Sequence, residues 1–515
     1  MKAIHRISFV LLLLVFCNPV TAIQGQTSLE AINLEHGTYE VGFRHYVTTD
    51  STRTYQRIYD WSNTHIHRPV PISVWYPARV EPNTAPMKVL DYMAILKEEE
   101  EWEHLPNEFI LDWFYYLKNT EQNRKHLTEQ ANAFQDAEYA DGTFPVLVYT
   151  PSYQASSMEN FALCEYLASH GYVVISSPSR GTGNRWMEGG TTRDMETQAA
   201  DVAFLIKETA RIPIADGKDL AVMGFSFGGI ANTLAQMKNK RIKVMVSLDG
   251  TERYNYELLT KSAYADVRRL DIPYLHMAQK DIPEVVLQED NIAPELNYQF
   301  KLFDSITNSQ AYSYKFHDLT HAYFSTFGVL FSDRDKRQDK SDPEIMSSYK
   351  LMSEHTLQFL NAFLKDDTEA RTFIDNKPEQ NGIREELVTR KISKPKARTF
   401  NFRDFNDMAA GQNYENLHDL YLVVKGKHPS LEMPEGALNN LGLQLVFNPE
   451  RSEKGIAVFQ LAIKLYPESA NLYDSLAEGY LFIGDTDKAI ASFEESLRLD
   501  PGNQNAIKRL RQLRP

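Results

Sequence analysis

Cysteine is nearly absent from this chain. There are two in 515 residues, Cys17 and Cys164. Cys17 lies in an N-terminal leader: basic Lys2 and Arg6, an apolar run from Phe9 to Cys17, then the small-residue site Val20-Thr21-Ala22. That pattern reads as a signal peptide cut after Ala22. A lipid anchor on Cys17 is the alternative, but Phe16 stands where such signals prefer a small residue. After cleavage only Cys164 remains, so no internal disulfide can form and stability must come from packed cores. Cys164 reads as a small buried hydrophobe. The apolar run of the leader is too short to span a bilayer well, so no transmembrane segment is expected in the mature chain. An exported protein without disulfides fits a bacterial periplasmic or secreted location.

Positive charge is also in deficit. Lys and Arg number 55 against 69 Asp and Glu, a formal net charge of −14. Such acidity argues against nucleic acid or an anionic membrane as the main partner. Metal-ligand clusters are scarce as well. His65 and His67 would share one face of a strand, but no further ligand cluster accompanies them, so neither metal nor cofactor is expected.

The chain is too long for one ordinary domain. From about residue 30 to 366, strand-like runs alternate with helical ones. The strands are Thr38–Phe43, Val70–Tyr76, Phe144–Tyr149, Tyr172–Ser176, Asp219–Met223, Lys243–Leu248, Pro273–Met277 and Tyr312–Phe316. Helical periodicity covers Ser157–Ala168 and Ala199–Thr209. This alternation predicts an α/β fold with a mainly parallel sheet flanked by helices. Residues 89–140 break the alternation. Rich in Glu and in aromatics such as Trp102, Trp113, Phe114, Tyr115 and Tyr116, they read as a helical insertion. It is expected to be a helical pair packed on the sheet, with a lid or pocket wall as the alternative. Residues 367–412 lose apolar periodicity and read as a linker. Residues 413–515 carry a repeat. Tyr473, Leu476, Ala477, Tyr480, Gly484, Ala489, Phe493, Ser496 and Pro501 have tetratricopeptide (TPR) spacing, and Gly442, Leu445, Phe459, Ala462 and Pro467 repeat part of it one period earlier. A C-terminal all-α TPR domain follows, serving either as a protein- or peptide-binding groove or as a structural appendage.

The chemistry concentrates at Gly224-Phe225-Ser226-Phe227-Gly228. An apolar strand precedes it and a helix follows, which is the nucleophile elbow of α/β-hydrolases. A serine hydroxyl needs a base and an orienting carboxylate, in the chain order Ser, Asp or Glu, His. Two acids lie downstream at the carboxyl ends of strands: Asp249 directly, and Asp281 after the short loop Ala278-Gln279-Lys280. His321 lies in the loop after the last strand, with His317 as a rival nearer the strand end. His276 falls within a strand and reads as a core histidine. One oxyanion donor would be the N–H of Phe227. The other should come from the loop Thr150-Pro151-Ser152-Tyr153-Gln154, where Pro151 has no N–H and Tyr153 is the choice.

From about Val70 to Phe327 the chain resembles the platelet-activating-factor acetylhydrolase-like and dienelactone-hydrolase-like branch of the α/β-hydrolases. The matching residues are Gly224 to Gly229, Leu248-Asp249, His321-Ala322-Tyr323-Phe324 and Leu167 to Val174. The resemblance implies a triad of Ser226, Asp249 and His321, no catalytic metal, and hydrolysis of short or oxidised acyl esters on a small or lipid-like substrate. The usual His-Gly of the oxyanion loop is replaced by Pro151-Ser152, and the insertion and repeats lie outside the resemblance. The alternatives are amide cleavage by the same triad and a non-catalytic binding protein built on the repeats.

Overall fold

The computed structural model describes residues 27–60, 62, 64–113, 117–289, 292–331, 338–395 and 400–514. The expected leader with Cys17, the expected cut after Ala22, and the aromatics Phe114, Tyr115 and Tyr116 lie outside these. The chain divides between residues 396 and 397 into two compact units.

The first unit is built on one sheet. Its strands are β1 (Glu40–Tyr55), β2 (Ile66–Arg79), β3 (Ala133–Gln135), β4 (Glu138–Tyr139), β5 (Phe144–Thr150), β6 (Val173–Ser176), β7 (Ala215–Phe225), β8 (Val244–Leu248), β9 (Tyr274–Ala278), β10 (Ala311–Phe316) and β11 (Val388–Ser393). The order across the sheet is β11-β10-β9-β8-β7-β5-β6-β2-β1-β3, with β4 paired to β2. From β10 to β6 every neighbouring pair is parallel, while β2 joins β6 and β1 joins β2 antiparallel.

The parallel strands are apolar on both faces because helices cover both. In β5, Val146 and Val148 join one core, with Val202 and Leu205 of helix Thr192–Glu208 and Ile230 and Leu234 of helix Phe227–Lys238. Leu147 and Tyr149 point to the other, with Leu163 and Leu167 of helix Phe161–Ser169 and Met352 and Phe359 of helix Asp342–Leu364. The period-2 alternation of one strand thus feeds two separate layers.

Two regions differ from the sequence reading. The 89–140 insertion is only partly helical. Helix Val89–Glu99 buries Val89, Tyr92, Met93 and Leu96 in the sheet core, and shorter turns follow, but β3 and β4 then return to the sheet. Three- and two-residue strands are too short to show an alternation. Residues 367–412 are not a linker. Helix Thr368–Asp375 buries Ala370 and Ile374, and β11 pairs antiparallel with β10 as the sheet's edge. Only Val388 of β11 is fully buried, which is why its apolar signal is weak. Helix Phe402–Gly411 already belongs to the second unit.

The second unit is a run of helices: Phe402–Gly411, Leu417–Lys427, Glu435–Val446, Ser452–Leu465, Ala470–Phe482, Thr486–Leu499 and Gln504–Leu513. Small residues let successive helices touch. A Cβ on Gly442 would lie 2.7 Å from the Phe459 ring. Leu445, Phe459, Ala462, Leu476, Ala477, Ala489 and Phe493 fill a core of their own. Among the described residues no helix is long and apolar enough to cross a membrane.

Candidate active site

β7 ends at Phe225 and the next helix begins at Phe227, so Ser226 occupies the corner alone. Its backbone sits at φ 53°, ψ −119°. That conformation is costly for a residue with a Cβ and persists only where packing enforces it. The enforcement comes from close approach. A Cβ on Gly224 would stand 2.4 Å from Gly228, and one on Gly228 would stand 2.1 Å from the Thr150 carbonyl oxygen. Bare backbone therefore lets the strand, the helix and the end of β5 meet, and it lifts the Ser226 hydroxyl above the sheet.

The other polar groups converge on that hydroxyl. His321 opens a short 3-10 turn beyond β10. Its Nε2 lies 2.9 Å from Ser226 Oγ, and its Nδ1 lies 2.6 Å from Asp249 Oδ2. Asp249 follows β8 directly, with φ 42°, and is fully buried. Its Oδ1 accepts from the Tyr254 hydroxyl at 2.7 Å and from the Gln279 backbone N–H at 3.0 Å. Gln279 braces both partners, since its side-chain oxygen accepts from the His321 N–H at 3.1 Å and its amide donates to Tyr254. Sequence reasoning missed Tyr254 and Gln279. Gln279 follows β9 directly, at the carboxyl edge of the sheet where such groups collect.

The electrostatics follow from these contacts. Burial alone would raise Asp249, but the hydrogen bond and charge of His321, with the bond from Tyr254, hold it below the usual carboxylate range. Desolvation would lower His321, yet the bond to Asp249, its charge and that of Glu159 raise it above 6.5. The ring is not sealed off: its side chain is 44% exposed and lines both neighbouring cavities. A base must be neutral to take a proton, so kcat/KM is expected to fall on the acid side of a limb above pH 6.5, about tenfold per pH unit at its foot. A pH–rate profile checks this.

The remaining sequence candidates do not join this relay, although Asp281 lines a cavity beside it. Asp281 pairs with Lys315 and leaves 62% of its side chain exposed. The fold thus brings Asp249, not Asp281, to His321. His317 reaches Thr389 Oγ1 at 3.1 Å. His276 is buried within β9 against Phe300, and burial pushes it down to about 3. His65 and His67 are exposed, and no cluster of metal-ligating side chains occurs among the described residues. Phe227 opens the elbow helix next to Ser226. Tyr153 lies across from it, ring edge to ring face at 5.9 Å, with its hydroxyl accepting from the Gly189 N–H at 2.9 Å.

Two cavities flank Ser226 and His321. One, about 350 Å³, has an apolar wall of Ile282, Pro283, Val286 and Ile292. The other, about 380 Å³, is lined by Leu117, Phe225 and Phe327 together with Ser152, Tyr153, Ser156 and Glu159. Sheet order, elbow and chain order of the polar groups agree. The fold is an α/β-hydrolase fold.

Comparison with known proteins bears on the first unit. Residues 116–266 match the profile of the X-Pro dipeptidyl-peptidase (S15 family), a stretch that includes Ser226 and Asp249 and stops short of His321. Among solved structures, a ferulic acid esterase from Streptomyces cinnamoneus aligns over 68% of this chain and 96% of its own, at 15% identity and a TM-score of 0.46. No curated protein sequence matches the chain.

Proposed function

We propose that the chain is an exported serine hydrolase that cleaves carboxylic esters through an acyl-enzyme. The observation that carries this reading is the unbroken relay from Ser226 Oγ through His321 to Asp249, open to cavities on both sides. In the first half, Ser226 Oγ bonds to the ester carbonyl carbon while His321 Nε2 takes its proton. Asp249 holds the imidazole in the productive tautomer and stabilises its charge. The N–H groups of Phe227 and Tyr153 receive the oxyanion. The carbon–oxygen bond to the alcohol then breaks, and His321 returns the proton to the leaving oxygen. Water repeats the sequence and releases the acid.

Two cavities of similar size suit an ester with a substantial group on each side of the scissile bond, one of them apolar. That agrees with the acetylhydrolase-like resemblance in reaction and widens it in substrate size. A second reading, cleavage of a peptide bond, is favoured by the match to the dipeptidyl-peptidase profile. The same triad serves either. The leader supports a periplasmic or secreted location. The repeated helical hairpins of the second unit support a TPR-like module for a protein or peptide partner.

A substrate panel separates the readings. With p-nitrophenyl esters of graded acyl length and Xaa-Pro p-nitroanilides, kcat/KM is expected to be highest for an ester of intermediate length. Faster turnover of the anilides would replace the esterase reading with the peptidase one.

A further inference from the structure

Glu159 is a buried carboxyl that the mechanism above leaves unused, although it lines the same cavity as Ser226 and His321. It stands at the turn that leads into helix Phe161–Ser169. Its Oε2 accepts from the Ser152 backbone N–H at 2.8 Å, and its Oε1 accepts from the Ser152 hydroxyl at 2.5 Å. The Tyr149 hydroxyl adds a longer bond of 3.4 Å to Oε2. A single carboxylate thus grips both polar groups through which Ser152 can donate.

What it grips is the loop that carries Tyr153. Two residues before Tyr153, the Pro151 carbonyl accepts from Gln198 Nε2 at 3.0 Å and from Ser179 Oγ at 3.2 Å. One residue downstream, Gln154 sits at φ 56° and its N–H meets Met187 Sδ at 3.2 Å. The peptide bearing the Tyr153 N–H lies between these anchors. Pro151 offers no N–H, so Ser152 supplies the backbone N–H that holds the loop just before Tyr153. A misplacement of about 1 Å at such a donor costs about 10²-fold in rate.

We propose that Glu159 is a positioning residue for the hydrolytic reaction. It fixes the oxyanion loop through Ser152 and, once ionised, places a negative charge in the cavity that His321 also lines. The inference rests on the reading of Ser226 as nucleophile and His321 as base. The titratable groups around Glu159 are Tyr149 on β5 and His321 on the turn after β10. Burial pushes Glu159 up to about 7, against the hydrogen bonds from Ser152 and Tyr149 and the charge of His321. Its charge in turn raises His321. Glu159 is ionised only toward the alkaline end of the His321 limb, so removing its charge moves that end to lower pH.

Three variants of the full chain test this on a p-nitrophenyl ester. Glu159→Ala removes clamp and charge, and kcat is expected to fall about 10²-fold with KM nearly unchanged. Glu159→Gln keeps an acceptor for the Ser152 N–H and an amide that donates to the Ser152 hydroxyl. It is expected to restore most of kcat while shifting the acid limb of kcat/KM to lower pH. Ser152→Ala, which leaves the backbone bond in place, should lie between the two and serves if Glu159→Ala does not fold. Unchanged kcat in Glu159→Ala, or equal losses in Glu159→Ala and Glu159→Gln with no shift of the limb, would overturn the proposal. Wild-type protein that neither turns over esters nor labels at Ser226 with a fluorophosphonate would instead overturn the reading beneath it.

Discussion

Ser226→Ala is expected to lower kcat about 10⁶-fold while leaving the fold intact. The loss is large because the hydroxyl forms the covalent bond, and neither cavity offers another serine set against His321 Nε2 at 2.9 Å. The backbone supplies an independent readout. Ser226 sits at φ 53°, where a side chain with a Cβ is strained by about 1–3 kcal/mol. Ser226→Gly relieves that strain, so it should be as inactive as the alanine variant yet more thermostable than it, by about 1 kcal/mol. Thermal melts of the two proteins compare them directly. Equal melting temperatures would mean that the corner carries no strain. Residual turnover above a few per cent in either would mean that Ser226 is not the nucleophile.

Asp249→Asn is expected to cost about 10⁴-fold in kcat, whereas Asp281→Asn should change it less than about twofold. The two residues look alike in sequence, since each follows a strand. They differ in what faces them. Asp249 is sealed beneath His321, with Tyr254, Gln279 and the imidazole donating to it. An amide there keeps the shape but presents N–H to Nδ1, which favours the wrong imidazole tautomer. Asp281 spends its charge on Lys315 at the protein surface, where an ion pair contributes about 0–1 kcal/mol. Steady-state kinetics of both variants on one ester check the contrast.

That contrast also marks how far the sequence could be read. The eight expected strands all occur, and the six parallel ones were legible because strands covered on both faces need continuous apolar runs. Ser226 was legible because its glycines are a local steric demand of the corner. His321 was legible by its place after the last parallel strand. The choice between Asp249 and Asp281 was not, because it depends on the turn at φ 42° and on donors contributed by Tyr254 and Gln279. Glu159 was invisible for a similar reason: its partner Ser152 lies only seven residues away, yet the link to His321 exists only once β5 and β10 share a sheet. The edge strand β11 escaped notice because an edge buries one face at most, and here it fully buries one residue. Likewise β3 and β4 are too short for any periodicity to register.

The measurement that tests the account most directly is covalent labelling. Purified full-length protein is treated with a fluorophosphonate, digested and mapped by mass spectrometry. A single adduct on Ser226 is expected, absent in Ser226→Ala and formed far more slowly in His321→Ala. No adduct on the wild-type chain, or an adduct at another residue that survives Ser226→Ala, would contradict it.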